Sequence, residues 1–251
     1  MANYKVSDTD LTAVADAIRQ KGGTGASLVF PAGFVSAVGA IPTGGGSSQE
    51  TALLDGSISG AYENGEVITL RAQAFAGCSG LTSISLPELK TAAANSFINC
   101  TNVTSVYLPK LQKITENYTF SNMKKLVMVV IPAIAYNLGN FAFSGCTLLS
   151  AADFGAGVGA MGGQSFANTA LQTLVIRKNG VSGLPNNLNT FNGTPFASGG
   201  TGGTLYVPQA AISAYQADTN WSTILGYANN QILPIEGSIY ETQYVDGTPI
   251  A

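Results

Sequence analysis

The chain has 251 residues, a formal net charge of -3, only 10% charged residues and no histidine. A balance so weakly acidic offers no basic stripe to a phosphate backbone, which counts against nucleic acid as a partner. The absent imidazole removes the commonest general base and metal ligand, and the longest apolar run, Leu126 to Ile131, is far too short to span a bilayer, so membrane is not an expected partner either.

In chain order, residues 1–41 read as a small helical module. Ser7 can cap a first helix, with Asp8 in its first turn and Asp10 at the capping-box position. Leu11, Val14, Ala15 and Ile18 make one apolar stripe, and Gly22-Gly23 ends it. Phe30-Pro31 opens a second helix that buries Phe34, Val35, Val38 and Ile41. Two helices of this length bury too little to stand alone, so the module should pack on other copies or on a partner. Residues 42–51, beginning PTGGGSSQ, have linker composition. Residues 52–70 carry the turn dipeptides Asp55-Gly56 and Asn64-Gly65 between short strand-like runs, which predicts a hairpin capping the N-terminal end of a repeat array.

Residues 71–208 repeat. Phe75, Phe97, Phe120, Phe143 and Phe166 recur at spacings of 22, 23, 23 and 23. Three residues after the Phe stands Cys78, Cys100, Met123 or Cys146, and an L-x-x-I-x-L core comes next, as in Leu81, Ile84 and Leu86. Three cysteines in a repeat slot read as stacked buried hydrophobes, and their spacing fits no zinc site. A period of 20–30 residues with this core predicts a mainly β leucine-rich-repeat solenoid of about six rungs, with short strands and irregular or 3-10 backs, next to the small N-terminal α-helical module. The sixth rung is read after an Asn-rich loop around Leu184 to Pro195, with Phe196 as its Phe and Leu205 to Pro208 as its strand. Residues 209–236 are the expected C-terminal cap: a helix from Ala210 to Trp221 burying Ile212, Tyr215 and Trp221, then Ile232 to Ile235. Residues 237–251 read as an extended tail.

Strand alternation places two columns of side chains on the outer face of the sheet. One runs Ser85, Tyr107, Val130, Asp153, Val175, Tyr206, and the other Ser83, Ser105, Met128, Ala151, Thr173. The first is unusually apolar. It is either a binding or assembly surface or a set of cross-strand neighbours that stabilise the sheet. The candidate binding residues are therefore Tyr107, Met128, Val130, Asp153, Val175 and Tyr206. The structural core is assigned to Phe75, Phe97, Phe120, Phe143, Phe166, Cys78, Cys100 and Cys146. Asp153 is read as a solvated lone carboxylate, with no second acid beside it for glycosidase chemistry. The glycines from Gly155 to Gly163 lack the lysine and strand-turn-helix setting of a phosphate loop, and read as a loosened back of the fourth repeat. No enzyme, metal or cofactor is expected.

The unit A-F-x-x-C-x-x-L-x-x-I-x-L-P over residues 66–208 resembles the BspA-like class of leucine-rich repeats, common in bacterial surface proteins. Residues 206–224, YVPQAAISAYQADTNWSTI, look like the C-terminal cap of such proteins. Residues 8–41 resemble an N-terminal module of tail and fibre-type structural proteins of phages infecting Gram-positive bacteria. This resemblance implies a virion protein made in the host cytoplasm, attached to other virion proteins through residues 7–41 and assembled as a homotrimer. Its solenoid would bind a bacterial surface glycan or protein. The alternative is a bacterial cell-surface or secreted adhesin. MANYKVSDTD shows no secretory signal, which favours the virion.

Overall fold

The computed structural model describes residues 58–242 apart from 186, 198 and 227–229. The expected helical module (1–41), the linker (42–51) and residues 243–251 lie outside the described residues. The chain divides into Met1–Ala52 and Leu53–Ala251, and the described residues all belong to the second unit.

That unit is a β-solenoid. Its sheet side is built from short parallel strands in two ladders: β1 (Ser59–Glu63), β3 (Gly80–Ser85) and β5 (Ser105–Tyr107) in one, and β6 (Met128–Ile131), β7 (Ala151–Phe154), β8 (Thr173–Ile176), β9 (Thr204–Val207) and β10 (Gln231–Pro234) in the other. On another flank β2 (Thr69–Leu70) pairs with β4 (Thr91–Ala92), and isolated bridges join Ile114 to Leu138 and Leu138 to Met161. The backs are turns rather than 3-10 helix; among the described residues 3-10 geometry occurs only at Gln209–Ala211 and Ile239–Glu241.

One inward residue per strand fills the centre. Tyr62, Ile84 and Val106 are in register, as are Val129, Ala152, Leu174, Leu205 and Ile232. Opposite them the Phe rings stack. Phe75, Phe97, Phe120, Phe143, Phe166 and Phe191 lie at centroid separations of 5.3, 4.9, 5.1, 5.3 and 5.5 Å, within 16° of parallel. Burying each ring removes apolar area worth roughly 1.5–3 kcal/mol. A backbone ladder runs alongside: Phe75 N donates to Ser96 O, Phe97 N to Thr119 O, and Phe166 N to Thr190 O. Tyr62 closes one end of the stack edge-on, and Trp221 covers Phe191 at the other. Cys78, Cys100 and Cys146 are buried. The Cys100 and Cys146 thiols donate to Phe75 O and Phe120 O of a preceding turn, and burial pushes both up to about 12.

Five turns bend twice through the left-handed region, and the Phe191 turn bends so at Gly193. Gln73, Asn95, Tyr118, Phe141 and Gln164, each two residues before a ladder Phe, have φ of 55–60°. Two residues after it stand Gly77, Asn99, Asn122, Gly145, Asn168 and Gly193, also at positive φ. Glycine and asparagine accept this conformation at low cost. Tyr118 and Phe141 do not, and they stack on each other at 4.7 Å and 6°.

Several sequence expectations need correction. Of the hairpin expected over residues 52–70, residues 52–57 lie outside the described residues, and β1 and β2 do not pair with each other but belong to different sheets, each parallel to a strand one turn on. The sixth ladder ring is Phe191, not Phe196, which tilts against it at 46°. The cap has two helices, α1 (Ile212–Ala217) and α2 (Thr219–Leu225). Asp218 separates them because its carboxylate accepts from the Asn220 and Trp221 amides as an N-cap. Tyr215 and Trp221 are buried, and Ile212 only partly. Ile232 to Pro234 form a further strand at the edge of the sheet, paired with β9. The glycine-rich fourth repeat is tight, not loose. A Cβ on Gly155 would collide with the Pro132 carbonyl oxygen, and one on Gly157 with that of Ile134. Gly155→Ala should therefore cost about 1–3 kcal/mol or more by forcing adjacent turns apart. Urea denaturation checks this, and an unchanged midpoint would contradict it.

Candidate functional site

The outer face of the sheet falls into two halves. On the first, β1, β3 and β5 present Ala61, Ser83 and Ser105 in one column and Glu63, Ser85 and Tyr107 in the other. Ala61 and Glu63 are exposed, and the three serines and Tyr107 are partly exposed. This half carries hydroxyls and one phenol, with Glu63 its one ionisable carboxylate.

On the second half the column continues Val130, Asp153, Val175, Tyr206 and Leu233 in unbroken register. The expectation that it lies open is wrong here: Val130, Asp153 and Val175 are all at most 1% exposed. The chain itself covers them. Ile235 and Tyr240 pack on Val130 and Val175, with Met128 and Tyr206 at the margin. The Tyr206 and Tyr240 rings lie 4.8 Å apart at 52°. Residues 237–242 are thus folded over the sheet and not an extended tail.

Asp153 is not a solvated carboxylate. Arg177, just past β8, reaches back one turn and donates from Nε to Oδ1 at 2.9 Å and from Nη2 to Oδ2 at 2.7 Å. Burial pushes the carboxyl upward and the guanidinium opposes it, burial being the larger effect. Lys178, next in the chain, donates to the carbonyls of Val158 and Ser182. Among the described residues no three His, Cys, Asp or Glu side chains converge on a metal site, and no helix is long and apolar enough to cross a membrane.

The register, the Phe stack and the slot shared by Cys78, Cys100 and Cys146 describe one recurring turn, and a family model recognises the same unit. The model of the BspA type leucine-rich repeat region matches residues 67–196 in 6 copies. The chain belongs to this BspA-type family. One solved structure agrees in fold. The pneumococcal vaccine antigen PcpA aligns at a TM-score of 0.54 with 16% identity, over 69% of this chain and 41% of that one. The Treponema pallidum leucine-rich repeat protein TpLRR gives 0.40 and 23%, over 44% and 52%. A leucine-rich repeat protein from Bacteroides ovatus gives 0.26 and 13%, over 67% and 64%. The chain therefore spans less than two thirds of each of these structures. No curated protein matches its sequence.

In this BspA-type chain the predicted face residues divide. Tyr107 stands on the open half, Met128 and Tyr206 on the margin, and Val130, Asp153 and Val175 beneath a cover. Sequence reasoning missed Arg177, Ile235 and Tyr240. Arg177 left a signal, since it lies 24 residues after Asp153, about one turn. Ile235 and Tyr240 left none, because they lie outside the repeat.

Proposed function

We propose that this chain is a non-enzymatic recognition protein that binds a bacterial surface through the open half of its sheet face. The observation that carries this reading is the partly exposed pair of columns from β1 to β5, where Tyr107 stands among Ser83, Ser85 and Ser105. Solenoids present extended surfaces of this kind to partners. Tyrosine suits a glycan or protein surface because it joins apolar area to a hydroxyl. The carrier is a phage virion, with residues 1–41 as the attachment module and a homotrimer as the assembly. This part rests on the resemblance of residues 8–41.

Fluorescently labelled protein should bind a subset of Gram-positive strains, and Tyr107→Ala should weaken that binding by about 5–30-fold, the range for losing a tyrosine anchor. Equal binding by both forms would remove the open half from the site. A second reading, a BspA-type adhesin displayed by a bacterium, is favoured by the family match itself. Mass spectrometry of purified virions and of bacterial surface fractions separates the two carriers.

A further inference from the structure

We propose that Tyr118 and Phe141, with Asn117 and Asn140 beside them, form a second recognition site that takes one or two sugar units of a neutral glycan. It lies at the corner between the flank bridges at Ile114 and Leu138 and the Phe stack, and it stands or falls independently of the sheet face. The backbone sets the two rings one above the other. Tyr118 N donates to Asn140 O and Phe141 N to Gly163 O, both at 3.0 Å, so the corner residues of successive turns share one column. Both rings sit on left-handed backbone, at φ 57° and 56°. Asn95 fills the same corner one turn earlier, and asparagine tolerates it better than a bulky ring does. Each strained corner costs about 5–30-fold in the folding equilibrium, whereas one stacked pair returns about 2–13-fold beyond the area it buries. Two corners against one stack leave a deficit, and Tyr118 recovers little of it by burial, being 38% exposed. Strain that packing does not repay clusters where proteins hold ligands.

The groups at this corner match the two sides of a sugar. Nearly parallel rings with centroids 4.7 Å apart are slipped past each other, since carbon atoms in contact lie about 3.5–4.0 Å apart. Each ring therefore leaves part of the other's face uncovered. Aromatic faces are electronegative and attract the weakly positive C–H bonds on the flat side of a pyranose. Carboxamides run beside the rings. Asn117 Oδ1 accepts from Asn140 N at 3.2 Å, and Asn140 Oδ1 accepts from Gly163 N at 2.8 Å. Both side chains are exposed, and with their oxygens spent along the axis they keep their Nδ2 donors for the hydroxyls of a ligand. Glu116, exposed next to Asn117, repels a polyanion, so the glycan is a neutral one. Two turns span about 10 Å. That is room for a short stretch of sugar chain and far short of the about 800 Å² per partner of a stable protein interface.

The test is saturation-transfer NMR of the full-length protein with chitotetraose, maltotetraose and mannotetraose. Wild type is compared with Tyr118→Asn/Phe141→Asn, Tyr118→Asn and Tyr107→Ala. At least one sugar should show transfer to its ring C–H protons, with affinity about tenfold lower in the double variant, less reduced in Tyr118→Asn and unchanged in Tyr107→Ala. The urea midpoint of the double variant should equal or exceed that of wild type, because asparagine fits the corner, whereas a purely structural stack requires it to fall. Should the double variant not fold, Tyr118→Asn decides. A lowered midpoint with sugar binding intact assigns the pair to structure, and transfer lost only in Tyr107→Ala moves the sugar to the sheet face. No transfer from any sugar overturns the glycan, and if cell binding then still falls with the corner variants, the partner there is a protein.

Discussion

Phe120→Ala is expected to lower the unfolding free energy by about 3–5 kcal/mol, the range for large-to-small change at a buried aromatic. The ring is fully buried and stacks on Phe97 at 4.9 Å and on Phe143 at 5.1 Å. Its loss forfeits two offset-stacked pairs, each worth about 0.5–1.5 kcal/mol beyond area burial. The cavity also resists collapse, because hydrogen-bonded backbone on either side holds the turns apart. Phe120 N donates to Ala142 O and Phe97 N to Thr119 O. The end position serves as control: Tyr62 meets the stack edge-on from one side only, so Tyr62→Ala should cost less. Urea denaturation of both variants measures the difference. A Phe120→Ala loss no larger than that of Tyr62→Ala would mean that the stack is not what holds successive turns together.

Arg177→Met should be the most damaging change on the sheet face, at about 3–5 kcal/mol near neutral pH, because it strands a buried carboxylate. Asp153→Asn should cost less. Its partner Arg177 is 17% exposed against 1% for Asp153, so water can take over part of the guanidinium's solvation. The pH dependence gives the mechanism away. Without its cation the Asp153 carboxyl is raised further above its value in the unfolded chain. The stability of the variant is then fully present below the unfolded carboxylate value and lost as pH rises through the folded one. Arg177→Met should therefore lie closest to wild type in acid and fall away towards neutrality. The double variant Asp153→Leu/Arg177→Met should recover most of the loss, since a packed apolar pair replaces a buried ion pair at little cost. A loss from Arg177→Met that is flat with pH would assign it to packing of the side-chain stem instead.

The repeat was legible because it is written in spacing. A Phe every 22 or 23 residues and a sulfur three places on can keep register only if each turn lies on the one before. The same arithmetic placed Val130 beside Asp153 and Asp153 beside Val175, as the ladder has them. It failed where spacing changes. The spacing back from Leu205 points to Phe196 as the last ring, whereas the ladder uses Phe191. The count misses because the turn after Phe166 is 25 residues long. Exposure was legible only in half. Alternation says which way a side chain points, not what lies over it, and the cover on Val130 and Val175 comes from Ile235 and Tyr240, outside the repeat.

The sheet side has a seam. β5 and β6 are neighbours along the axis, yet the ladder that joins β1, β3 and β5 stops there and a new one starts at β6. Across the same step the Phe97 and Phe120 rings still stack, Phe97 N still meets Thr119 O, and Gly139 N still meets Ile114 O. Mechanically the molecule is two stiff stacks riveted along the back and unriveted along the front. Bending that opens the front meets the least resistance at this step, between the half that lies open and the half that is covered. Among the described residues the curvature of the sheet face is thus freest at this step, and a partner that gripped both halves would feel that joint as give.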